Sequence, residues 1–183
     1  MKKLALALAF LACVCFGTSR LYAETAGGWV KHPANPVLGG GLGVCFDVTL
    51  LKEGDTYKMW FSWRTKESIG YTESRHGVKW SEPRVVLAPD PDCGWQIRVN
   101  RASVLKKDGK YYMWYTGQTR DRSRIGLAVS DDGIEWKRVQ SEPVLVSEEA
   151  WEKGSAMCPH VLWNDEKKVF QMWYSAGDQY EPN

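Results

Sequence analysis

The sequence carries no excess of charge of one sign, since 24 lysines and arginines face 22 aspartates and glutamates. Even that small surplus sits in the first residues. Removing residues 1–23 takes Lys2, Lys3 and Arg20 and no acid, which leaves 21 basic residues against 22 acidic ones. The basic surface that nucleic acid or an anionic membrane selects for is missing, so neither partner is expected. Long hydrophobic runs are missing too. The one apolar stretch, Leu4 to Phe16, is too short to span a bilayer and follows the basic Met1-Lys2-Lys3, the pattern of a secretory signal. Cleavage is expected after Ala23, giving a secreted or periplasmic protein with no membrane contact once residues 1–23 are gone. Cysteine is sparse: Cys13 and Cys15 leave with the signal, and Cys45, Cys93 and Cys158 are odd in number without any C-x-x-C spacing. No metal site or disulfide framework is therefore expected, and buried free thiols are. Nothing calls for an organic cofactor, and a structural calcium leaves no mark that can be read here.

Aromatic residues are what the chain has in abundance, with ten tryptophans and eight tyrosines. Several mark a repeat. Tyr57-Lys-Met-Trp-Phe-Ser, Tyr111-Tyr-Met-Trp-Tyr-Thr and Phe170-Gln-Met-Trp-Tyr-Ser are one segment written three times, in register at Trp60, Trp114 and Trp173. Ile69-Gly70-Tyr71 through Gly77 to Trp80 matches Ile125-Gly126-Leu127 through Gly133 to Trp136. A third element closes each unit: Pro143-Val144-Leu145 follows Trp136 as Pro36-Val37-Leu38 follows Trp29, and Val86-Leu87 follows Trp80.

Within a unit the runs are rich in Val, Tyr, Trp and Phe and are separated by turn signals such as Asp108-Gly109, Asp132-Gly133 and Asn164-Asp165, with no helical period. Four strands per unit are expected, in the first unit Val48 to Lys52, Tyr57 to Trp63, Ile69 to Ser74 and an outer strand near Val85 to Leu87. Four antiparallel strands repeated about every 55 residues describe a propeller blade. The chain is thus expected to be all-β, a β-propeller of four-stranded blades over residues 24–183. Three hairpins fall short of a closed ring, so the expectation is a partial propeller whose remaining blades lie beyond the C-terminus. Trp60, Trp114 and Trp173 are expected to pack between blades.

In such a fold the starts of the innermost strands and the turns between second and third strands share one end. The first set holds Phe46-Asp47, Asn100-Arg101 and Cys158-Pro159-His160, aligned on Leu51, Leu105 and Leu162. The second holds Trp63 to Lys66, Gln118 to Arg122 and Gly177 to Glu181. They are the least repetitive parts of a repetitive chain, which is where a scaffold places its site. Asp47 is the candidate catalytic carboxylate. Glu181 is the first candidate for its partner acid and Glu152 the second. Arg64, Arg101, Gln118, Arg120, His160 and Tyr180 are candidate substrate contacts, because arginine and histidine donors suit sugar hydroxyls, a uronic carboxylate or an attacking phosphate. Trp63 and Trp95 are candidate platforms for a pyranose face.

Cys45-Phe46-Asp47-Val48-Thr49-Leu50-Leu51, the M-W-Y-[ST] hairpins and the I-G-x-A-x-S-x-D-G-x-x-W strands resemble the five-bladed propellers of glycoside hydrolase family 43 and its relatives, including the family 130 phosphorylases. The resemblance implies an Asp base at the start of the first inner strand, where Asp47 stands, followed by Val48 in place of the family's proline. It also implies a glutamate before a later Pro-His, where Met157-Cys158 stand, and a middle aspartate that has no counterpart at Asn100-Arg101-Ala102-Ser103. An offshoot of the family is therefore expected. Glycoside hydrolysis needs two carboxyl groups, and inversion needs them roughly 6.5–9.5 Å apart so that water fits between. The expected activity is cleavage of glycosidic bonds in oligo- or polysaccharides with inversion. The alternatives are a family 130-type phosphorylase and a carbohydrate-binding propeller without catalysis.

Overall fold

The structure is a computed structural model that describes residues 28–178. The expected signal segment lies outside the described residues, as do Tyr180 and Glu181. The chain divides into two compact units, Met1–Asn35 and Pro36–Asn183. Of the first, the described part is a turn in which the Asn35 N–H donates to the His32 carbonyl at 3.0 Å.

The second unit is built of antiparallel sheets. Strands β1 (Cys45–Glu53), β2 (Thr56–Trp63), β3 (Ser68–Ser74) and β4 (Arg84–Leu87) pair in that order to form the first blade. Strands β5 (Arg98–Lys107), β6 (Lys110–Gln118), β7 (Ser123–Ser130) and β8 (Lys137–Arg138) form the second. A third sheet holds the hairpin of β9 (Ala156–Asn164) and β10 (Val169–Ala176). The turns follow from their residues. Asp108 and Gly109 both adopt positive φ, 51° and 81°, the geometry a two-residue hairpin needs to match strand twist. In the β9–β10 turn the Asn164 side chain accepts the Lys167 N–H at 2.8 Å.

The repeat explains the register. Phe61 pairs with Gly70 and Tyr115 with Gly126, so each Ile-Gly supplies a residue without Cβ for an aromatic ring across the strand. Leu87 pairs with Ile69, and Leu145 bridges to Ile125. The second outer edge is therefore split between β8 and Leu145, with the closing residue in the same place as in the first blade. Pro36-Val37-Leu38 departs from the expectation of an outer strand and forms a bend; such a strand exists only by pairing with a third strand, and among the described residues none pairs with it.

Two apolar clusters hold the blades together. One gathers Trp60, Tyr71, Trp95, Val104, Tyr111 and Tyr115 between the first and second blades, and the other gathers Trp114, Ile125, Ala156 and Val161 between the second and the third hairpin. Each large side chain so buried contributes about 1.5–3 kcal/mol. Trp60 is fully buried, and its indole donates to the Gly133 carbonyl of the next blade at 2.9 Å. Trp173, in the same register, is 56% exposed, which corrects its assignment to packing. The cover that Trp60 receives comes from the following blade, and among the described residues no fourth sheet follows β10.

Candidate active site

The innermost strands β1, β5 and β9 pack side by side, and each breaks its ladder at the same place. The pairing shifts between Phe46 and Thr49, between Asn100 and Ser103, and opposite Trp173 and Ser175, where β9 passes through Cys158 and Pro159. At each break one residue is left-handed: Asp47 at φ 47°, Arg101 at 53° and Cys158 at 54°. These are β-bulges in three equivalent positions, devices that turn a side chain out of the ladder. Pro159 suits the position after the bulge because it has no N–H to lose.

At two of the three bulges the backbone N–H is met by the preceding blade. The Arg101 N–H donates to the Ser62 hydroxyl at 2.7 Å, and the Cys158 N–H donates to the Thr116 hydroxyl at 3.0 Å. Ser62 and Thr116 are the sixth residues of the first two repeated segments, and their hydroxyls act as latches on the next inner strand. Such a bond satisfies a donor that would cost about 1–3 kcal/mol if left buried and unpaired.

Together the three bulges line a cavity of about 220 Å³ with residues 47–49, 101–103 and 158–160. Among the described residues Asp47 is its one lining carboxylate, and its Oδ2 lies 3.3 Å from Nε of Arg101. His160 lines the same cavity. The Cys158 thiol is pushed up by burial, and the nearby Asp47 carboxylate adds to that while Arg101 opposes it. Cys45, Cys93 and Cys158 are all free, and they are half-buried rather than buried.

The remaining candidates fall into two groups. Arg64 begins the short turn after β2, exposed, with its guanidinium 4.9 Å from the Phe46 ring. Arg120 is exposed in the β6–β7 turn. Gln118 is buried and accepts the Asn100 amide at 3.0 Å, which makes it a brace for the residue beside Arg101. Trp63 is only 8% exposed and donates to the Leu42 carbonyl at 2.8 Å. Trp95 is 4% exposed, stacks on Tyr115 and donates to Ser141, so it is core and offers no open face to a sugar.

Glu152 is corrected as an acid candidate. It is 2% exposed, its Oε2 accepts the Glu148 and Glu149 N–H groups at 2.7 Å each, and its Oε1 accepts the Tyr174 hydroxyl at 2.7 Å. The Glu149 backbone bond, then Tyr174 and the Glu148 backbone, hold its carboxyl below the usual range. A group so held closes a loop and resists taking up a proton.

Sequence reasoning passed over Glu67 and Arg98, which line a recess next to the cavity together with Phe46. It also passed over the left-handed backbone at Asp47, Arg101 and Cys158. The only signal for the latter was that three dissimilar residues stand at one register position.

A model of the glycosyl hydrolases family 32 N-terminal domain matches residues 49–182. An uncharacterized protein of Mycobacterium tuberculosis is 30% identical over 142 residues, 72% of this chain and 46% of that protein. Among solved structures, Zg3597, a family 117 glycoside hydrolase of Zobellia galactanivorans, superposes with a TM-score of 0.59 at 17% identity over 72% of this chain and 48% of its own. A beta-1,2-mannobiose phosphorylase from Listeria innocua, in complex with beta-1,2-mannobiose, superposes with a TM-score of 0.60 at 19% identity over 72% and 41%. The chain therefore spans about half the length of the curated relatives it matches.

Proposed function

Because the chain belongs to the glycosyl hydrolases family 32 N-terminal domain family and has the blade architecture of the five-bladed propeller superfamily of glycoside hydrolases and phosphorylases, we propose that it acts on oligo- or polysaccharides by hydrolysis at the cavity of the three bulges. The observation that carries this reading is the position of Asp47, a partly exposed carboxylate turned out of the first inner strand and facing the shared cavity beside Arg101 and His160. A carboxylate in that place can take a proton from water on one face of a sugar ring while an acid on the other face protonates the departing oxygen. Arg101 faces the Asp47 carboxylate through Nε at 3.3 Å and donates through Nη1 to Asn100 Oδ1 at 3.5 Å, which leaves Nη2 for a sugar hydroxyl. Glu181 is assigned as the partner acid on its place in the chain after β10. A single displacement with inversion, assisted by these two carboxyl groups, in an exported protein processed after Ala23, completes the proposal.

Asp47→Asn in the whole protein should lower turnover by about 10²–10⁴-fold, the usual worth of a general base, with the unfolding midpoint retained. Near-normal turnover removes Asp47 from the mechanism. Release of sugar in phosphate-free buffer identifies a hydrolase, and strict dependence on phosphate identifies a phosphorylase. One observation favours a second reading, a propeller that binds glycans without cleaving them: among the described residues the cavity presents a single carboxylate. Binding without release from a panel of glycosides would establish it.

A further inference from the structure

Next to the cavity, between the first and second blades, lies a narrow recess of about 10 Å³ lined by Phe46, Ser62, Trp63, Arg64, Glu67 and Arg98 among others. Its volume admits one water-sized group. Phe46-Asp47 and Asn100-Arg101 form the wall between recess and cavity, the first residue of each pair lining the recess and the second the cavity.

Guanidinium groups stand on both sides of this wall, Arg64 and Arg98 at the recess and Arg101 at the cavity. Arg64 lies 4.9 Å and Arg101 6.0 Å from the centre of the Phe46 ring, so two cations share one aromatic residue. Arg98 adds a third. Its Nε is buried without a hydrogen-bond partner, and its contact with Glu67 is a single one at 3.7 Å. Lys66 stands nearby, 5.9 Å from the Trp63 ring. The acids that face this set are Glu67, half exposed, and Asp47, which is engaged by Arg101. Arg64 makes no ion pair among the described residues. Converging like charges with a buried unpaired donor are costly unless an anion shares them. The planar fork of arginine matches a carboxylate in particular.

We propose that the recess is a subsite for the carboxylate of a uronic acid residue, gripped by Arg64 and Arg98, on a saccharide whose ring occupies the cavity beside Asp47. This rests on the reading of that cavity as a saccharide site. One carboxylate oxygen faces Arg98 at the mouth of the recess, and the other faces Arg64, whose guanidinium lies 4.9 Å from the centre of the Phe46 ring. Arg101 remains with Asp47 on the cavity side, so recognition of the acid and the chemistry use different guanidinium groups.

The test measures binding by calorimetry to the whole protein, with short oligosaccharides of galacturonate and of glucuronate set against their methyl esters, which keep the shape and lose the charge. At least one acid should bind about 10- to 100-fold tighter than its ester, the range for a hydrogen bond to a charged group, and the preference should shrink as salt is raised. Arg64→Met keeps the apolar stem over Phe46 and removes the charge; it should erase most of the preference while moving the ester's affinity far less. Arg98→Met should act in the same direction, with the thermal transition reporting that each variant is folded. Equal binding of acids and esters, or an equal loss for both in Arg64→Met, overturns the proposal and leaves the saccharide site standing. Failure of every acid and ester to bind removes the saccharide site and the proposal with it. Inorganic phosphate binding with the same dependence on Arg64, without any preference for acid sugars, assigns the subsite to a free anion and also overturns it.

Discussion

Asp47 reaches the cavity because its backbone is left-handed at a bulge, and aspartate is among the few residues that accept this at low cost. Arg101 and Cys158 have no such tolerance, and each carries a strain of about 1–2 kcal/mol. That the same strain recurs three times marks the bulge as part of the repeat. It was not legible beforehand, since Asp, Arg and Cys share no propensity that would announce a common conformation. The glycines were legible, because Ile-Gly recurs in register, although only the structure says why. At Gly126 the φ is ordinary and space alone matters: a Cβ would lie 2.4 Å from the Tyr115 ring and 2.8 Å from Trp95. Both rings are buried. Gly126→Ala should therefore cost about 1–3 kcal/mol by overpacking, read as a lower denaturation midpoint at unchanged slope. A midpoint equal to that of the parent would mean that the rings yield freely and that the motif has another cause.

At the level of elements, strands and hairpins could be read from alternation and turn residues, and their observed bounds exceed the expected ones by only a few residues. The capping of the short Ala150–Glu152 turn was not readable, because a glutamate after a tryptophan looks the same whether it is a catalytic acid or a clamp. The clamp has a pH signature. Glu152 is held below the ordinary value near 4.3, so the unfolded chain binds its proton more readily than the folded one. The stability it contributes is complete above the unfolded pKa and is lost as pH falls through the lower folded pKa. The unfolding midpoint should fall on acidification below about pH 4.3, and Glu152→Gln should be less stable at neutral pH with a shallower acid dependence. An unchanged acid slope in Glu152→Gln would show that the three bonds to this carboxylate do not distinguish its charge states.

For the molecule as a whole, the question is whether the blades are separate units that happen to touch. The links between them are polar as well as apolar. Between the first two blades, Trp60 donates to Gly133, Ser62 accepts from Arg101, and the Tyr111 hydroxyl donates to Glu53 at 2.6 Å while accepting Lys58 at 2.6 Å. Lys106 adds a 3.1 Å pair to the same Glu53 oxygen. Burial alone would raise the Glu53 pKa, but the bonds from Tyr111 and Lys106 and the charge of Lys58 outweigh it and hold the carboxyl low. The repeat foretold that Trp60 packs but not what it bonds, since its partner is a backbone carbonyl 73 residues away. That partner also accepts the Trp136 indole at 3.0 Å, so Trp60→Phe removes a donor without orphaning the acceptor. Its cost should then be the hydrogen bond and part of a ring, about 1–3 kcal/mol. If the blades fold together, Trp60→Phe lowers the midpoint of one cooperative transition, seen alike by tryptophan fluorescence and by far-ultraviolet circular dichroism. Two transitions, of which only one moves, would show that the first blade unfolds apart from the second and that the indole bond does not couple them.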